Sequence, residues 1–153
     1  MDIDGNLQRL GLRLPDPVAP AFQYVPVVVD DGLAWVSGQI PRDGSTILYT
    51  GKVGAEVSLD QAQAAARACV LQGLSQLKQA LGGFDRVRRV VKVTGFVASA
   101  PGFVQQPTVM DAASELLVQA LGEAGRHARS AVGVAELPRG VPVEVEMVVA
   151  VER

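Results

Sequence analysis

One cysteine, one histidine, one tryptophan and only 5% aromatics leave this 153-residue chain short of the usual materials of catalysis. A lone Cys69 excludes an internal disulfide, and a reducing, cytoplasmic compartment is the simpler expectation. One histidine and one cysteine cannot furnish a zinc site, so no metal and no cofactor are expected. HExxH, the Walker loop and GxSxG are all missing. No run of lysine and arginine is longer than Arg88-Arg89, and the formal net charge is -2. A nucleic-acid partner is not expected, because such proteins concentrate positive charge on one face. No apolar run approaches the roughly 20 residues that span a bilayer. The acidic start, Met1 to Gly5, lacks the charged-then-apolar layout of a secretory signal.

What is present is ordinary globular material, 48% hydrophobic and 20% charged. With few aromatics, Val, Ala and Leu must build the core, which suits a β-rich layer under closely packed helices. Residues 1–21 read as an N-terminal extension. Ile3, Leu7 and Leu10 recur at helical spacing up to Gly11, and Pro15, Pro17 and Pro20 then impose an extended, poorly hydrogen-bonded lead-in. Residues 22–153 read as one domain.

Within it, Val25–Val29 and Leu33–Ser37 form a hairpin across Asp30-Asp31-Gly32. Arg42 to Gly54 reads as loop. Leu59–Leu81 is the clearest helix: Ser58 caps it, Ala62, Ala66, Cys69, Val70, Leu74 and Leu77 make its apolar stripe, and Gly82-Gly83 ends it. A strand at Val87–Val97, a helix from about Thr108 to Leu121, a strand at Ala128–Val134 and a final strand at Val141–Val151 complete the order ββ-α-β-α-ββ. The pattern predicts an α+β fold, a mostly antiparallel sheet with two helices packed on one face. Its other face, apolar in part, is expected to be covered by copies of the chain.

The segment from His127 to Glu146 is the best candidate for function. Arg129 lies in one strand and Glu144 in the next; Glu144 and Glu146 share one face of the last strand, and Val143, Val145 and Met147 the other. The Leu137–Gly140 turn is read as folding the two strands together, so that cation and carboxylate approach. Spacing alone favours the plainer reading, a surface ion pair of little energetic weight. Cys69, on the buried stripe of a helix, reads as inert packing. Trp35 reads as core or subunit packing, and His127 as a cleft or strand-entry residue, not a base, since nothing obvious orients it.

His127-Ala-Arg-Ser-Ala-Val132, followed by Leu137-Pro-Arg-Gly-Val-Pro-Val-Glu-Val-Glu146, resembles the signature of the RidA/YjgF family. Tyr24 with Trp35-Val-Ser-Gly-Gln-Ile-Pro41, and Val90-Val-Lys-Val-Thr-Gly-Phe-Val97, match in the same order, so the likeness spans about residues 22–151. It implies a chorismate-mutase-like fold, a homotrimer, and intersubunit clefts that bind a small carboxylate-bearing ligand. It also implies hydrolysis of reactive 2-imino or enamine acids, such as 2-aminoacrylate, to 2-oxo acids and ammonia. Carried over by motif, Arg129 binds the carboxylate, Glu144 handles protons, and Tyr24, Ser37 and Gly38 line the cleft. Part of that cleft, such as the equivalents of Tyr24 or Ser37, is expected from the next subunit. The chain departs from the pattern at His127, where deaminating members usually have proline, at Ala131, where some have cysteine, and near Asp111, where many have asparagine. These departures leave open a second reading, a non-catalytic trimeric module that holds small carboxylates.

Overall fold

A computed structural model describes all 153 residues. The apolar spacing at the N-terminus forms a helix, α1 (Ile3–Arg9), whose cap Asp2 accepts from the Gly5 N–H at 2.8 Å. Ile3 and Leu7 enter the core, whereas Leu10 falls outside the helix and is exposed. An irregular lead-in follows. β1 (Val27–Asp30) begins after Pro26, which has no N–H to give a ladder. It turns through Asp31-Gly32, both at positive φ, into β2 (Leu33–Gln39). The stretch expected as loop contains a small hairpin, β3 (Arg42–Asp43) and β4 (Thr46–Ile47), around Gly44.

α2 (Leu59–Leu81) has the expected bounds for the expected reason: Ser58 and Gln61 exchange side-chain bonds with each other's backbone N–H, a full capping box. Gly82 ends it at φ 73. β5 (Val87–Ala98), α3 (Gln106–Leu121), β6 (Ala128–Val134) and β7 (Val143–Val151) complete the chain.

The main sheet runs β1-β2-β7-β5-β6. Contrary to the expected pairing across the Leu137–Gly140 turn, β6 and β7 are not neighbours, because β5 lies between them. β6 runs parallel to β5, and every other pair in that sheet is antiparallel. The reason is α3, a crossover helix long enough to return the chain beside β5 in the same direction. A third helix also joins the expected two. α1 packs against α3, with the Asn6 amide donating to the Ala120 carbonyl at 2.8 Å.

α2 covers β2 and β7, and α3 covers β5 and β6. Their close approach needs two glycines. A Cβ on Gly73 of α2 would meet Met147 Cε at 2.6 Å, and one on Gly95 of β5 would meet Met110 Cγ at 2.5 Å. The opposite sheet face carries Val28, Trp35 and Val132, all exposed. Trp35, 52% exposed, is therefore not a core residue of the single chain. No helix is long and apolar enough to cross a membrane.

Candidate active site

The β2–β7 register shifts between Val36 and Gln39, so Ser37 and Gly38 form an irregularity in β2. Such bulges re-aim side chains. Here the outcome is a close approach: a Cβ on Gly38 would collide with Glu144 Oε1 and lie 2.9 Å from its Cδ. Gly38 has no positive φ, so its role is space, not backbone freedom. Ser37 donates its hydroxyl to the Val25 carbonyl at 2.8 Å, tying β2 to the lead-in of β1.

Glu144 opens into a cleft of about 380 Å³ whose lining includes Tyr24, Ser37, Gly38, Arg42 and Arg139. Its carboxyl is held above the usual glutamate range, first by burial and then by the charge of Glu146. One wall, Val18 to Phe22, belongs, apart from Phe22, to the segment expected as an extension. Two buried side chains of α2 hold that segment: Ser75 donates to the Pro15 carbonyl at 2.6 Å and Gln76 to the Val18 carbonyl at 2.7 Å. Polar groups on a helix face otherwise apolar are explained by these bonds.

Arg129 is elsewhere. It is register partner to Val93, on the helix side of the sheet, while Glu144 is partner to Phe96, whose face is opposite. With β5 between them and the sheet separating their side chains, the two cannot meet within one chain. Arg129 instead donates to Asp111 Oδ1 at 2.9 Å, to Ser114 Oγ at 3.1 Å and to the Pro107 carbonyl at 3.4 Å. The division between halves thus differs from the expected one: Tyr24, Ser37 and Gly38 gather with Glu144 in the same chain, and Arg129 is the group left apart.

His127 is oriented after all. Its Nδ1 lies 2.6 Å from the Gly125 carbonyl, an acceptor only, so Nδ1 carries the proton. Nε2 then accepts from the Ser114 hydroxyl at 2.9 Å, leaving the Ser114 oxygen free to receive Arg129. Burial, opposed by the Gly125 bond and reinforced by Arg129, favours the neutral ring. Cys69 is buried, points its thiol at the Val143 carbonyl at 3.5 Å, and is pushed well up by burial and by Glu144. It is not a nucleophile. No group of three or more His, Cys, Asp or Glu side chains is arranged to hold a metal ion.

Sequence reasoning missed Arg42, Arg139 and the Val18–Phe22 wall. Arg139 had one visible signal, a cation in a Pro-Arg-Gly turn. The wall had none, since proximity to the cleft is a property of the fold.

A mixed, mostly antiparallel sheet covered by helices on one face, with a glutamate-bearing cleft beside an irregular strand, defines an α+β fold of the chorismate-mutase-like class. The chain belongs to the YjgF family: residues 4–143 match the model described as "YjgF/chorismate mutase-like, putative endoribonuclease", a match that begins within the segment read as an extension. It is 49% identical over 148 residues to Protein TCP17 of Trypanosoma cruzi, covering 96% of this chain and 92% of that one. Among solved structures, Atu1372 from Agrobacterium tumefaciens, of unknown function, superposes with a TM-score of 0.92 at 44% identity, covering 98% and 92% of the two chains. The yjgF gene product of Escherichia coli does so at 0.62 and 30%, covering 92% and 96%.

Proposed function

We propose that the protein hydrolyses reactive 2-imino and enamine acids to 2-oxo acids and ammonia. The observation that carries this reading is Glu144: a half-buried carboxyl with a raised affinity for its proton, facing a cleft sized for a small ligand. Hydrolysis adds water across C=N and releases ammonia. It needs a group that takes a proton from the attacking water and returns one to the leaving nitrogen. A carboxyl whose proton affinity is shifted towards neutrality does both better than an ordinary glutamate, and such general acid–base help supplies about 10²–10⁴-fold in rate.

The substrate's own carboxylate needs a fork of N–H donors, and Arg129 has that geometry. Because Arg129 and Glu144 lie on opposite faces, the site combines one copy's Glu144 with a neighbour's Arg129. The exposed Trp35, Val28 and Val132 support association through the uncovered sheet face, and a trimer is what the family resemblance implies. The family model's description also raises an endoribonuclease role. With a net charge of -2 and no basic run beyond two residues, that role finds less support in this chain.

The test generates 2-aminocrotonate in situ with a pyridoxal-phosphate threonine deaminase and follows 2-oxobutanoate release. Wild type should accelerate release over buffer, and Arg129→Ala and Glu144→Gln should each lose most of that acceleration. No acceleration by wild type, with retained binding of 2-oxobutanoate, would reduce the protein to a binding module. Light scattering reports the assembly, and a clean monomer is incompatible with a shared site.

A further inference from the structure

We propose that the Glu144 cleft selects ligands bearing a second carboxylate, held by Arg42 and Arg139, so that acidic imino acids such as 2-iminoglutarate are its preferred class. The inference rests on the imino-acid reading for its chemistry, but the second anion subsite is a property of the cleft itself.

Both arginines line the cleft. Neither guanidinium takes part in an ion pair or donates a side-chain hydrogen bond; Arg13, Arg67 and Arg88 are likewise unpaired, and what sets Arg42 and Arg139 apart is their place in the lining of the cleft. Two guanidinium groups against one carboxyl leave the cleft positive, which favours a ligand with two negative charges over one with a single charge.

Arg139 also occupies an unusual backbone position. It sits at φ 59 and ψ 16, followed by Gly140 at φ 71. A left-handed conformation is costly for a residue with a Cβ, and such outliers cluster at ligand clamps. Glycine or asparagine would relieve the strain, yet the chain has an arginine at this place in the cleft lining. Arg42 is fixed at its base: its carbonyl accepts from Gln72 Nε2 at 2.8 Å, and Gln72 is itself buried. The lining also includes Tyr24 and Ile40, suited to the methylenes of a short diacid. The distal carboxylate takes no part in bond making. The reaction remains C=NH plus water giving C=O plus ammonia.

The experiment has a binding arm and a turnover arm on the full-length protein. Calorimetry compares 2-oxoglutarate with 2-oxobutanoate, the products of the acidic and the plain imino acid. Wild type should bind 2-oxoglutarate at least about tenfold more tightly, and Arg42→Ala and Arg139→Gly should each cut that ratio several-fold. Arg139→Gly is the sharper variant, because it relieves the left-handed strain. Its melting temperature should rise while the preference falls, which loss of fold cannot mimic. In the second arm an amino-acid oxidase generates 2-iminoglutarate or 2-iminobutanoate, and the kcat/KM ratio should follow the binding ratio. Equal affinities in wild type, or a preference that survives both substitutions, overturns the subsite. If wild type hydrolyses neither imino acid while the binding ratio behaves as stated, the hydrolase reading fails and the subsite stands.

Discussion

Replacing Gly38 by alanine adds one methyl group where β2 passes closest to the Glu144 carboxyl. The new Cβ would overlap Oε1 and lie 2.9 Å from Cδ and 3.1 Å from Cγ of Glu144, against about 3.5–4.0 Å for relaxed non-bonded carbon contacts. The clash is with the far end of a flexible side chain, so the carboxyl moves and the backbone stays. An off-rotamer Glu144 costs about 0.5–1.5 kcal/mol. Alanine in place of a glycine in a strand returns roughly 0.5–1 kcal/mol. The net change in stability is therefore within about 1 kcal/mol, or a melting shift of about 2–4 °C at this size. Function should respond differently. A carboxyl displaced by roughly 1 Å from its working position costs about 10²-fold in rate. The assay is 2-oxobutanoate release from 2-aminocrotonate, beside a thermal melt of the same preparation. If Gly38→Ala melts like wild type and retains more than about a third of its rate, while Glu144→Gln is inactive, then the close approach has no catalytic meaning and the reasoning fails.

Gly95→Ala should behave in the opposite way, because its Cβ would strike Met110 at Sδ, Cγ and Cε inside the core; overpacking there should destabilise by about 1–3 kcal/mol, read as an earlier midpoint in urea with an unchanged slope. Ser58→Ala removes the capping box of α2 and should cost about 1 kcal/mol in the same titration. Glu144→Gln should be more stable than wild type at neutral pH. A carboxyl with a folded pKa raised above its unfolded value contributes stability below the unfolded pKa and loses it as pH rises through the folded one. The gap between variant and wild type should close as pH falls below the ordinary glutamate range; a gap independent of pH would show that burial of the charge is not its source.

The elements themselves were readable from local chemistry. Ser58, Gln61 and Gly82 bound α2 at the residues the caps require, and the alternation of Val143, Glu144, Val145, Glu146 and Met147 put the carboxylates on one face of β7. Sheet order was not readable in the same way. The Leu137–Gly140 turn looked like a hairpin, and nothing in β6 or β7 states which strand each prefers as neighbour. That choice is made by α3, which returns β6 to the far edge of β5, and by residues 135–142, which carry the chain past β5 to start β7. Periodicity reports which side of a strand is apolar; it does not report the partner.

The same distinction governs the site. Tyr24, Ser37, Gly38 and Glu144 come together because β1, β2 and β7 are consecutive in the sheet, and the bulge at Ser37-Gly38 aims them at one cleft. Arg129 belongs to the same motif by sequence, only a turn and a few residues from Glu144, yet an odd offset in register puts it on the helix side of an edge strand. Its geometry there is not that of a stray surface cation. Asp111, Ser114 and the Pro107 carbonyl hold it, and His127 holds Ser114 in turn, so the guanidinium is fixed in direction before any ligand arrives. A fixed donor at an edge and a half-buried acid in a cleft on the opposite face are of little use to each other in one chain. They become one site only if the edge of one copy meets the cleft of another, so for this protein assembly and chemistry stand or fall together.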